Sequence, residues 1–239
     1  MREPMCFRNK GISIRYSSVE SERVICKKVS IHLIIFSVTT AWRGSYIKRM
    51  YFHASPIANI KILEPRISNH DVPLVYFSAK RENVLVYLSN AVEKYCKETG
   101  FSYNGNWSKW GPYGFAQSGK LVMEEYYPKA LFETYAGVAG YIYSVKDNEN
   151  LIAKPEIPDC VVSKKPVPVE SVEYIPNAYE AILRAEREGK IGIVRYEEFI
   201  GKREEWLRRI IKDEYDGAVE HPEYRHFLQD KFGLFLGNR

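Results

Sequence analysis

Tyr51-Phe52-His53-Ala54-Ser55-Pro56 and, some twenty residues on, Leu74-Val75-Tyr76-Phe77-Ser78 are the two stretches that decide the fold of this chain. Both are rich in aromatic and β-branched residues and both end at turn-forming residues, as strands do. Side chains alternate along a strand, so His53 and Ser55 share one face of the first, and Tyr76 and Ser78 share one face of the second. A histidine two residues before a hydroxyl offers two hydrogen-bonding groups to a polar ligand, or else sits at the surface beside a Ser-Pro turn. In the second stretch Tyr76 and Ser78 face a ligand, or else the ring packs inward and the hydroxyl only starts a helix. A helix following Ser78 adds free backbone N–H groups at its N-terminus.

Outward from these, residues 57–67 read as a connection containing Pro65, and Asp71-Val72-Pro73 as a turn. A single helix is expected over 80–99, N-capped by Ser78, with Glu82 in its first turn and Gly100 closing it. Val84, Leu85, Leu88, Val92 and Tyr95 recur there at helical spacing. The turn-rich stretch 101–120, carrying Trp107 and Trp110, suggests a hairpin or an ordered loop, its aromatics either facing a substrate or fixing the loop to the core. Further strands are expected at 121–127, 140–145, 160–163 and 167–175. The tail is expected to be helical: 178–188, a short segment at 191–199, 202–215 and a further helix at 221–232. The fold class is α+β, one domain spanning 50–239.

Of the 239 residues, 45% are hydrophobic and 27% charged, which excludes collagen-like and low-complexity chains. No apolar run approaches the roughly 18 residues of a spanning helix. Four cysteines with no C-x-x-C pair argue against a disulfide scaffold and a zinc ribbon, so a cytoplasmic setting is expected. The net charge of +5 is unevenly spread: residues 1–49 hold ten Lys/Arg and three Asp/Glu, and the remainder is mildly acidic. Without the basic fifth, the electrostatic case for nucleic acid mostly disappears. Residues 1–49 show no sustained period, and their apolar stretch at 29–42 carries His32 and makes a poor signal peptide. They are expected to be an extension, either disordered or untranslated with Met50 as the natural start.

The series strand, His-x-Ser, connection, Tyr-x-Ser, helix resembles the opening of the ADP-ribosyltransferase superfamily, in the branch with a histidine on the first strand and a tyrosine on the second. Leu63-Glu64-Pro65 and Ser68-Asn69 in the connection resemble the rifampicin ADP-ribosyltransferase type. The likeness covers residues 50–90 well and the later strands in outline. It implies a split pair of small antiparallel sheets with flanking helices, and NAD, as a substrate, in the cleft between them. His53 and Ser55 would hold NAD, Tyr76 would stack on the nicotinamide, and Ser78 would add a hydrogen bond. The reaction implied is a glycosyltransferase step: nicotinamide leaves and ADP-ribose passes to an acceptor, whether small molecule, protein or nucleic acid. A non-catalytic binding or interaction module on the same fold is the alternative, and an RNA 2′-phosphotransferase-like use of the cleft is a third.

The family also places an acidic residue on a later strand, to stabilise positive charge on the ribose. Glu173, within Val172-Glu173-Tyr174-Ile175, is the leading candidate. Asp147, Glu170, Glu124 and Glu125 are rivals. No metal site is expected: His221 and His226 fall on different helix faces and no cysteine joins them. The mixed charge runs in the C-terminal helices read as solvated faces.

Overall fold

The computed structural model describes residues 49–67, 72–103 and 112–237, so the expectations for residues 1–48 and for Trp107 and Trp110 lie outside the described residues. In chain order the elements are β1 (Met50–Ser55), β2 (Ile62–Leu63), β3 (Val75–Ser78), a 3-10 helix (Arg81–Tyr87), α1 (Ala91–Thr99), β4 (Tyr113–Phe115), β5 (Leu121–Glu124), α2 (Ala130–Tyr135) and β6 (Gly140–Lys146). There follow β7 (Ile152–Ala153), β8 (Cys160–Ser163), β9 (Val167–Pro168), β10 (Ser171–Ile175), α3 (Ala178–Arg187), β11 (Gly192–Val194), α4 (Tyr196–Gly217) and α5 (Pro222–Leu236). The main sheet has the order β10-β6-β1-β3-β8-β7 and is antiparallel throughout. A smaller sheet, β11-β5-β4, joins a hairpin to a parallel strand, and β2 pairs with β9. The chain is thus α+β, with several small sheets.

The strand period sorts the main sheet into two faces. Tyr51, Val75, Phe77, Tyr143, Val145 and Val161 pack on one, together with Leu63 and Val167 of the β2–β9 pair. Ala54, Ile142 and Ile175 pack on the other, beneath Val84, Leu85 and Leu88 and the α3 residues Ala178, Ile182 and Ala185. A third core joins α1, α4 and α5 through Val92, Phe199, Leu207, Tyr224 and Phe227. Glu125 ties these layers: its buried carboxylate accepts from Leu131 N–H at 3.1 Å and Tyr196 N–H at 3.4 Å, the amide ends of α2 and α4.

Four expectations need correction. The helix over 80–99 is two elements. Asn83, Val84, Leu85 and Val86 are all buried, which a helix with one apolar stripe does not allow; a 3-10 helix enclosed between sheet and α3 does. Asn90 then starts α1 afresh, its side chain accepting from Val92 N–H at 3.1 Å, and Gly100 closes it in the left-handed conformation (φ 70°). The strand over 167–175 is also two, because the chain changes partner: Val169 N–H bonds Lys61 O, and Glu170 N–H bonds Ser144 O. The strand at 121–127 stops at Glu124, and α2 follows. Finally, 191–199 supplies β11 and the start of α4, which runs on through a kink at Arg203 (φ −142°).

Glu214 of α4 lies against α5, where the Tyr224 hydroxyl donates to it at 3.1 Å; burial pushes its carboxyl up to about 7, from an ordinary value of 4.5. Between those values the folded protein keeps a proton that the unfolded chain has lost, so this group costs stability as pH rises through the window. A Glu214→Gln variant cannot ionise. It is expected to match the wild type in thermal melts at about pH 4.5 and to exceed it above about pH 7. A difference that does not change with pH would contradict this assignment.

Candidate functional site

β1 pairs with β6 along its whole length, and β3 with β8 along its whole length, but β1 and β3 share one register pair, Phe52↔Ser78. β1 and β3 remain neighbours in one six-stranded sheet, but theirs is its shortest ladder, and this junction is the seam between β10-β6-β1 and β3-β8-β7. Just past that pair, His53 Nδ1 donates to the Tyr76 carbonyl at 2.9 Å, so a side chain supplies the donor where the ladder lapses. A carbonyl only accepts, which places a proton on Nδ1. The imidazole packs 6.0 Å from the Phe77 ring, and its register partner Tyr143 is fully buried. Tyr143 holds the adjoining turn, donating to Ile57 O at 2.6 Å and accepting from Ile60 N–H at 3.3 Å.

The structure brings some of the expected residues together and keeps others apart. His53 and Tyr76 meet through the carbonyl, but their side chains leave opposite faces of the sheet: His53 with Tyr143 and Phe77, Tyr76 on the face of Ala54 and Ile142. Ser55 and Ser78 are both buried, and each closes the turn after its strand, accepting from Ile57 N–H (3.2 Å) and Lys80 N–H (3.1 Å). Ser78 thus caps a local turn and not a helix; Lys80 is the residue that precedes the 3-10 helix. Burial, then the neighbouring Cys160, raises the Tyr76 phenol above its ordinary value.

Glu173 shares its face with Tyr76. Its register partner is Ile142, which pairs in turn with Ala54, so β6 and β1 lie between them, a span of roughly 14 Å. The 3-10 helix crosses above this row. Arg81 at its start grips Glu173 with both ends of the guanidinium, Nε to Oε2 at 2.7 Å and a terminal nitrogen to Oε1 at 2.6 Å. Tyr87 at its end has Cys160 as a neighbour in common with Tyr76, and its hydroxyl bonds that of Tyr113 at 2.7 Å. Beside Glu173 a groove of about 550 Å³ opens between β10, α3 and the start of the 3-10 helix, lined by Arg81, Tyr174, Asn177, Arg184 and Lys190 among others.

The rival carboxylates are elsewhere. Asp147 is exposed beyond the Met50 end of β1. Glu170 pairs with Lys146, and Glu124 with Arg203 and the Tyr126 hydroxyl. Glu125 caps two helices, as described. Sequence reasoning missed Arg81, because its partner is 92 positions away, and the Tyr87–Tyr113 pair, which only the β4–β5 hairpin brings together. Among the described residues no helix is long and apolar enough to cross a membrane. No protein-family model, curated protein or solved structure matches this chain.

Proposed function

We propose that the protein transfers ADP-ribose from NAD to an acceptor, with release of nicotinamide, at the seam between the two half-sheets. The observation that carries this is the single register pair that joins β1 to β3, with the His53 imidazole bonded to the Tyr76 carbonyl beside it. A cleft between two small sheets is where the resemblance puts NAD. The residues suit such a ligand only if it reaches round the seam: the imidazole can hydrogen-bond a ribose hydroxyl from one face of the sheet, and the half-buried Tyr76 ring can stack on a flat heterocycle from the other. The Glu173 side chain, on the face and row of Tyr76, can oppose the positive charge that develops on the ribose as the glycosidic bond breaks. Arg81 orients that carboxylate, and the groove beside it is the place for the acceptor.

A second reading is supported by the same ion pair. With both carboxylate oxygens of Glu173 engaged by Arg81, the fold works as a ligand-binding module that performs no transfer. Calorimetry separates the two seam residues from the fold at large: His53→Ala and Tyr76→Ala are each expected to weaken NAD binding at least tenfold, which is about 1.4 kcal/mol. Wild-type affinity in both variants would remove the seam as the binding site. Binding without nicotinamide release would select the module.

A further inference from the structure

β10 is the outermost strand of the main sheet: it pairs with β6 on one side, and among the described residues no strand lies on the other. Every second residue of such a strand turns its N–H and C=O outward, a template for another extended chain. Charge often guards a free edge, but Glu173, the one charged side chain of β10, is matched by Arg81. Val172 and Tyr174 stand on one face of the strand, 56% and 57% exposed. On the Glu173 side runs the groove of about 550 Å³, with α3 as its far wall. Other charges lining it are also matched, Lys190 with both Glu82 and Glu188. Glu180 and Arg184 are left over. Both are exposed, both line the groove, and neither is in an ion pair or side-chain hydrogen bond among the described residues. They stand four apart on α3, the spacing at which a glutamate and an arginine ordinarily meet, and yet stay separate.

We infer that this groove docks an extended peptide, which adds to β10 as a further strand and turns one acidic and one basic side chain, two residues apart, toward α3. The acid meets Arg184 and the base meets Glu180. Four residues of helix rise about 6 Å, and side chains two apart on a strand repeat at about 7 Å, so the spacings match. The residue between them faces the other way, toward Val172 and Tyr174, and is apolar. Backbone bonds along the edge supply affinity, and the two charges set the direction in which the peptide lies. In one respect this rests on the proposed function above: if ADP-ribose is transferred beside Glu173, the docked segment is its acceptor. The docking itself needs no transfer.

The test titrates the full chain by calorimetry with two blocked peptides of about seven residues, threonine-rich and alike except at the centre, which reads acid-valine-base in one and base-valine-acid in the other. One order is expected to bind about tenfold more tightly than the other. The double swap Glu180→Arg with Arg184→Glu is expected to reverse that preference, and because both side chains are exposed it should melt near the wild type. Two N-methylated forms of the preferred peptide then probe the edge. Methyl groups on one alternate set of amides should abolish binding and on the other set should spare it, since only every second amide faces β10. A wild type that binds neither peptide would overturn the inference. So would a preference that is absent or unmoved by the swap, and so would equal tolerance of both methylated forms, the mark of loose charge attraction. Peptide binding in a protein that never releases nicotinamide from NAD would leave the inference standing and sink the transferase reading. Release of nicotinamide without peptide binding would do the reverse.

Discussion

Replacing Glu173 with glutamine is expected to slow nicotinamide release by about 100-fold, the usual cost of deleting one electrostatic contact to a developing charge. NAD affinity should change little, because the substitution keeps size and shape and removes a charge that matters most once the glycosidic bond has begun to break. The ion pair with Arg81 complicates this in only one way. Glu173 is about half exposed (52%) and Arg81 less so (29%), so losing the pair costs the fold at most about 1 kcal/mol. A melting curve near that of the wild type, together with the lost rate, would therefore assign the effect to chemistry. Equal rates for the variant and the wild type would remove Glu173 from the catalytic role.

Leu85→Ala is expected to destabilise the protein by about 2–5 kcal/mol, measured by urea unfolding with little change in slope. Leu85 is fully buried at the centre of the 3-10 helix, and it belongs to the core that includes Ala54 and Ile142 of the sheet and Ile182 of α3. The enclosure is tight: a Cβ on Gly140 would come within 2.6 Å of the neighbouring Leu88 side chain, so the cavity left by truncation has little chance to close. The same helix positions Arg81 on Glu173, and the variant should lose ligand affinity along with stability. A loss below about 1 kcal/mol would show that the helix is held by something other than this core.

Much of the fold is legible along the chain because alternation and turn chemistry are local. β1, β3, β6 and β8 sit where their sequences place them, and Pro222 opens α5 as expected, although the helix runs past the expected end at 232 to Leu236. What was not legible is non-local. The division of residues 167–175 follows from a change of strand partner, and the 3-10 helix follows from being enclosed on several sides; no local pattern encodes either. The site shows the same limit. Alternation correctly pairs His53 with Ser55, and Tyr76 with Ser78, but the face that each pair shows depends on how β1 meets β3. That seam rests on the single pair Phe52↔Ser78. Arg81 sits next to the Tyr-x-Ser stretch, yet its importance lies in an ion pair with a residue of β10, with β6 and β1 between β10 and the strand that Arg81 follows.

The most direct test of the central claim is nicotinamide release from NAD by the wild-type chain, read beside His53→Ala and Tyr76→Ala. Release by the wild type, even as slow hydrolysis without an acceptor, that falls at least tenfold in both variants is the result expected of a transferase working at the β1–β3 seam. A folded wild-type protein that neither releases nicotinamide nor binds NAD would contradict it.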